Sequence, residues 1–223
     1  MKTIGKALVL AACGISVVSA QVPDRTQLGL KATEARLASQ QAMKAYTWKT
    51  RTELQVQGQV KSIRLEMVRY DLDGNQQKTL LSEDKDEPKR KPGLRGKIQE
   101  RREEAAKDWM ADLGQLLHSY LTASKGQMVD FFERASFTPE GQTLRIEGQG
   151  FIVPGDRMSY WIEPQQKKPQ KMQIDTVHQG DPVRLVVEFQ ALPDGLNVPA
   201  RATLNVPDKQ VQVKVENFEY KRQ

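Results

Sequence analysis

The chain has 223 residues and is mildly basic, with 34 Lys and Arg against 28 Asp and Glu and a formal net charge of +6. That length suits one domain with a sizeable core. The single cysteine is Cys13, close to the N-terminus, so the rest of the chain has no thiol nucleophile, no cysteine metal site and no disulfide framework.

The N-terminus reads as a secretory leader. Lys2 and Lys6 supply a positive start, and the run Ala7–Val18 has Ser16 as its only polar member, which matches an apolar export segment and is too short to span a bilayer. Two cuts fit it. Leu10-Ala11-Ala12-Cys13 has the form of a lipobox, with Cys13 the acylated residue, and Val18-Ser19-Ala20 has the small residues of an ordinary cleavage site. The length of the apolar segment before each cut favours cleavage after Ala20. The expectation is therefore a signal peptide over 1–20 and one domain over 21–223, exported to the periplasm, with acylation at Cys13 as the lesser alternative. For an exported protein the basic balance gives no support to nucleic-acid binding.

From about Asp24 to Lys44 the chain lacks Pro, and Leu37, Ala38, Ala42 and Met43 recur near helical spacing, which predicts a first helix. The period then changes to two. Tyr46, Trp48, Thr50, Thr52, Leu54 and Val56 alternate with Lys49, Arg51, Glu53 and Gln55, and Ile63, Leu65 and Met67 alternate with Arg64 and Glu66. Asp71-Leu72-Asp73-Gly74-Asn75 turns the chain into a third strand through about Leu81.

Ser82 to Lys97 is dense in charge, Pro and Gly and reads as a loop or insertion. A second helix follows. Trp109, Leu113, Leu116, Leu117 and Tyr120 form an apolar stripe on it, and Gly126 ends it, so residues 82–126 form a charged loop plus helix. Beyond that point the pattern predicts only strands and turns, at LRIEG, RMSYWIE, KMQIDTV, VRLVVEF, RATLNV and VQVKVENF. The fold class expected is α+β, mainly β. A strongly curved antiparallel sheet forms an incomplete barrel, and the N-terminal and mid-chain helices cover its concave face.

Catalytic and metal chemistry find no constellation. Asp71, Asp73 and Asn75 match the start of a calcium loop, but Gln76 and Ser82 stand where that loop needs Gly and Glu, so a plain turn is the simpler reading. His118 and His178 lack partners at ligand spacing, and no GxSxG occurs. No catalytic residue, metal site or cofactor is assigned, and an enzyme is the least favoured reading.

Two features remain. Trp48, Met67, Trp109, Leu113, Leu117, Trp161 and Phe189 are candidates to line an apolar ligand cavity between sheet and helices, with Met158, Tyr160 and Met172 beside them. The basic run Lys89, Arg90 and Lys91 with Arg95 is a candidate contact for an anionic membrane surface or an acidic partner.

The order of parts also resembles a known family. A leader, a first helix, TWKTRTELQVQGQVKSIRLEMVRYDLDG as opening hairpins, a helical interruption and repeated strands ending in VQVKVENFEY look like the LolA/LolB-like lipoprotein-carrier superfamily. The resemblance implies an incomplete barrel closed by helices around a hydrophobic cavity for acyl chains. It also implies a periplasmic, non-enzymatic carrier whose partner is an amphiphilic lipid or an acylated protein. The alternative is a structural or interaction protein of the envelope that uses the basic insertion as its contact surface.

Overall fold

A computed structural model describes residues 25–71, 73–86, 93–165 and 168–223. Among these, the first helix is α1 (Arg25–Met43), built of good helix formers with no internal Pro. It leads into a meander of β1 (Tyr46–Val56), β2 (Gln59–Tyr70) and β3 (Gln76–Lys85). Gln57 and Gly58 join β1 to β2, both with positive φ (53° and 73°), the backbone that a two-residue hairpin turn demands.

Next come α2 (Leu94–Leu121) and α3 (Lys125–Arg134). Seven further strands close the order: β4 (Ser136–Glu140), β5 (Thr143–Gln149), β6 (Arg157–Glu163), β7 (Lys168–His178), β8 (Asp181–Ala191), β9 (Asn197–Val206) and β10 (Val211–Arg222).

All ten strands form one antiparallel sheet in the order β3-β2-β1-β10-β9-β8-β7-β6-β5-β4. Two meanders, β1 to β3 and β4 to β10, are thus joined where β1 pairs with β10, Thr50 opposite Asn217 and Leu54 opposite Val213. The sheet does not close into a barrel, and its edges are β3, exposed along its whole length, and the five-residue β4, which Pro139 disqualifies for further pairing. Bulges interrupt five of the pairings, among them β1 with β2 and β8 with β9, and each adds local bend and twist.

One face of the sheet carries the helices. Met158, Tyr160 and Ile162 of β6, Ile174 of β7 and Val187 of β8 are buried there against Leu28 of α1, Leu113 and Tyr120 of α2, and Phe131 and Phe132 of α3. Phe131 stacks edge-on against Phe132 and Phe151. Asp156, 1% exposed, ties the loop before β6 together. Its carboxylate accepts the backbone N–H of Phe151 (2.7 Å), Ile152 (2.8 Å) and Val153 (3.0 Å), and the Tyr120 hydroxyl at 2.8 Å. That is a full set of donors for a buried charge.

The mainly-β antiparallel sheet with helices on one face matches the fold class expected from sequence, and three details differ. The segment from Ser82 does not begin as a loop, because β3 runs to Lys85 with Arg64 paired to Glu83 at 2.8 Å. The mid-chain helix starts at Leu94, and its first half stands in solvent, with Leu94 80% and Ile98 52% exposed. The third helix, α3, occupies a stretch that sequence reading gave to strands and turns. Ser124 caps it by accepting the Gln127 N–H at 3.2 Å, while the Gln127 side chain accepts the Ser124 N–H at 2.9 Å.

Candidate ligand cavity

The sequence of α1 explains a gap beneath it. Ala35, Ala38, Ser39 and Ala42 fall on one face, and such short side chains do not reach the sheet below. A cavity of about 610 Å3, partly open to solvent, lies between them and the sheet. Its floor includes Trp48 of β1, Val68 and Tyr70 of β2, Val215 of β10, and Val187 and Phe189 of β8, with Met128, Met158 and Met172 further along. With Met43 of α1, four methionines with flexible thioether chains make an adaptable apolar lining.

The cavity also reports the shape of the sheet. Lys78 of β3 and Lys168 of β7 both line it, although six strand spacings separate their strands. In a flat sheet those strands would lie roughly 29 Å apart, far more than a compact cavity spans, so the sheet curls around it.

Most polar groups in the wall are satisfied by one another. Thr50 Oγ1 donates to Asn217 Oδ1 at 2.8 Å, Asn217 Nδ2 donates to the Pro199 carbonyl at 3.2 Å, and Asn197 Nδ2 donates to the Pro169 carbonyl at 2.7 Å. Trp48 is stacked on Tyr220, ring centres 5.7 Å apart, and tilted against Tyr70 at 5.9 Å. The Tyr220 hydroxyl donates to the Pro199 carbonyl at 2.7 Å. Burial raises the Tyr70 and Tyr220 phenols above their ordinary range and pushes Tyr160 up to about 12.

Arg36 fastens α1 over this space. Its guanidinium donates to the carbonyl of Leu121 at 2.9 Å and to that of Ala123, two acceptors at the C-terminal end of α2 that have no helical donor. A cation is also favoured there by the helix dipole. Gln40 adds a longer bond to Leu121 O at 3.4 Å, and Lys125 meets Glu34 at 3.2 Å. Desolvation holds the Arg36 guanidinium below its ordinary pKa, with the nearby Tyr160 acting in the opposite direction.

Of the seven cavity candidates read from sequence, Trp48 and Phe189 line the cavity. Leu113, 1% exposed, and Leu117 belong to the filled core under α2 instead. Trp109 sits at the far end of the strands, edge-on to His178 at 5.1 Å and under Lys209 Nζ at 4.9 Å. Met67 is on the opposite face of the sheet, 39% exposed, because its neighbour Val68 takes the inward position opposite Trp48. Trp161 is likewise outside. Tyr160 takes the inward position, and the indole N–H of Trp161 donates to Glu140 Oε2 at 2.9 Å with Lys171 Nζ 4.6 Å from its ring.

Sequence reading missed Arg36, Lys78 and Lys168, which carried no pattern, and Tyr220, whose period-two spacing to Phe218 was available. Of the basic contact candidates, Lys89, Arg90 and Lys91 lie outside the described residues, and Arg95 is exposed in the first turn of α2. The leader and Cys13 also lie outside them. The Asp71 carboxylate is used by the β2–β3 turn itself, accepting the Asn75 N–H and the Gln77 side-chain amide, each at 2.8 Å. Those bonds, led by the one from Gln77, hold it below the usual carboxylate range.

No protein-family model matches the chain, and no curated protein does. Solved structures do match. One is a domain described as an outer membrane lipoprotein-sorting protein from Vibrio parahaemolyticus, which covers 89% of this chain and 93% of its own at 10% identity and a TM-score of 0.44. A DUF1329 family protein from Desulfovibrio piger covers the same shares at 7% identity and a TM-score of 0.40. A LolA superfamily protein from Nitrosomonas europaea covers 86% of this chain and 93% of its own at 9% identity and a TM-score of 0.35. The likenesses are to lipoprotein-sorting and LolA-superfamily domains, and they concern the path of the chain.

Proposed function

We propose that the protein is an exported, non-enzymatic binding protein that takes the acyl part of a lipid-like ligand into the cavity under α1. The observation that carries this reading is the cavity itself. Its volume of about 610 Å3 falls within the roughly 300–1,000 Å3 of small-molecule sites. Its walls are mainly aliphatic, aromatic and thioether, and its polar side chains from β1, β9 and β10 are already bonded to the protein. Such a surface rewards an apolar guest and offers a polar one little.

Export rests on the leader over 1–20 and its cleavage after Ala20, with the released form suited to carrying a ligand through an aqueous compartment. Entry and exit of a ligand are served by movement of α1 away from the α2–α3 junction, where Arg36 holds it. An acylated protein is the partner that fits this cavity at the larger end of the scale, and a free lipid at the smaller.

Native mass spectrometry of protein purified without detergent, followed by denaturing mass spectrometry, tests the reading. The expected result is a mature chain beginning at Gln21 with added mass that is lost on denaturation. A bare chain whose melting temperature is also unmoved by added lipids and detergents overturns it, because a ligand that binds only the folded state must stabilise that state.

A further inference from the structure

The charged residues around the cavity are all of one sign. Among the described residues, Arg36, Lys78 and Lys168 line it and no Asp or Glu does. Among carboxylates at the same end of the sheet, Glu163 stands opposite Lys168 in the β6–β7 register and accepts the Gln165 N–H at 3.0 Å. Asp194 accepts the Tyr46 hydroxyl and the Leu196 N–H, and Asp71 is held within the β2–β3 turn. Among the described residues, neither Lys78 nor Lys168 forms an ion pair or side-chain hydrogen bond, and Arg36 donates only to carbonyls.

The two lysines also share a position along the strands. Lys168 opens β7, and Lys78 lies near the start of β3, opposite Val68 in β2. Both belong to the end of the sheet where β1 begins and α1 finishes. Met172 and Met158 lie deeper, because Met172 is four residues further along β7 and Met158 pairs with Ile174 beyond it. From Lys168 to the level of Ile174 the strand rises roughly 20 Å. The cavity is therefore a long apolar space with ammonium groups at one end.

We infer that the ligand is an anionic amphiphile, its acyl chain running toward Met172 and Met158 and its carboxylate or phosphate head held at the rim by Lys78 and Lys168. This rests on the acyl-binding reading above and adds the charge of the head group to it. An anionic head takes charge-assisted hydrogen bonds from both ammonium groups, whereas a neutral head takes only ordinary ones.

The test compares three probes with the same chain, decanoate, decyl phosphate and decanol, titrated calorimetrically into the wild type and into the Lys78→Gln, Lys168→Gln double variant. Both substitutions are at accessible positions, and unchanged unliganded melting confirms the fold. The expected result is that at least one anion binds the wild type about tenfold more tightly than decanol, and that the double variant loses this preference while binding decanol as before. Whichever of decanoate or decyl phosphate is preferred identifies the head group. Equal binding of all three, or a preference that survives in the double variant, overturns the head-group assignment and leaves the apolar cavity standing. Binding of none overturns both.

Discussion

Phe132 of α3 fills the space over Gly29 of α1: a Cβ placed on that glycine would lie 2.7 Å from Phe132 Cβ and 3.0 Å from its Cγ. The helix that roofs the cavity is seated by a contact only glycine permits. Gly29→Ala is expected to destabilise the protein, because overpacking of about 1–3 kcal/mol exceeds the gain of up to about 1 kcal/mol in helix propensity. Gly114→Ala in α2, where nothing lies within 4 Å of the new Cβ, is expected to stabilise. Urea denaturation of both variants checks this, and equal stabilisation by the two substitutions would refute the seating.

Arg36→Ala removes the bonds to the Leu121 and Ala123 carbonyls and is expected to cost about 1–2 kcal/mol. Its local effect is larger than its global one. Amide exchange in the second half of α1 rises, and exchange of any bound amphiphile quickens. Arg36→Lys recovers little, because one ammonium cannot match the planar fork that reaches two carbonyls. Unchanged protection of α1 in Arg36→Ala would show that the latch does not hold it.

Asp156→Ala is expected to be far more damaging, by about 3 kcal/mol or more, because it strands three backbone N–H groups at once and leaves the buried Tyr120 hydroxyl only its 3.1 Å bond to Thr176 Oγ1. Tyr120→Phe removes one donor of four and costs about 1 kcal/mol. A thermal melt separates the two, and similar losses would mean that Asp156 serves only Tyr120.

Alkaline pH weakens the fold through its buried and half-buried tyrosines, Tyr70, Tyr120 and Tyr220 among them, and one share is that of Tyr160, which is 4% exposed and whose burial lifts its pKa to about 12. Below pH 10 both folded and unfolded chains keep this phenol neutral, so its contribution is fully present. As pH rises from about 10 toward 12 the unfolded chain loses the proton first, and roughly 2–3 kcal/mol of stability drains away. Tyr160→Phe flattens that part of the curve. Denaturation midpoints measured from pH 9 to pH 12 give the answer, and an identical decline in the variant would assign the loss to other groups.

Within a series of anionic amphiphiles, each added methylene is expected to tighten binding about fourfold, the equivalent of about 0.8 kcal/mol, until the chain reaches the level of Met158. Beyond that length the gain stops. Affinity that rises without a break would place the chain outside the cavity.

Alternation of apolar and polar residues located β1 and the strands from β5 to β10, because a half-buried strand writes its two faces into every second residue. It does not say which face is covered. Consecutive strand residues point to opposite faces, so Tyr160 and Trp161 cannot both look into the cavity, and the aromatic pair read as one lining splits across the sheet. In β2 the outward Ile63, Leu65 and Met67 form the longer apolar series, yet the lone Val68 is the buried residue, 1% exposed.

The third helix was legible in principle. Ser124 and Gln127 have the spacing of a capping box, and Met128, Phe131 and Phe132 that of a helical face, but the run is only ten residues and follows directly on a longer helix. The cavity itself was not legible, since an absence of atoms beneath Ala35, Ala38 and Ala42 depends on how far α1 stands from the sheet.

The pairing of β1 with β10 also sets the order in which the molecule can assemble. Each meander folds from hairpins between neighbours in sequence, whereas this seam brings together strands from opposite ends of the described chain, Tyr46 beside Arg222. Contacts of such separation are slow to form. Until they do, the three-stranded and seven-stranded meanders present open edges at β1 and β10 and bare apolar faces, the surfaces on which a partly folded chain aggregates. The kinetic weak point of this protein is therefore an interior seam of its sheet, between the third and fourth strands, where the finished structure looks continuous.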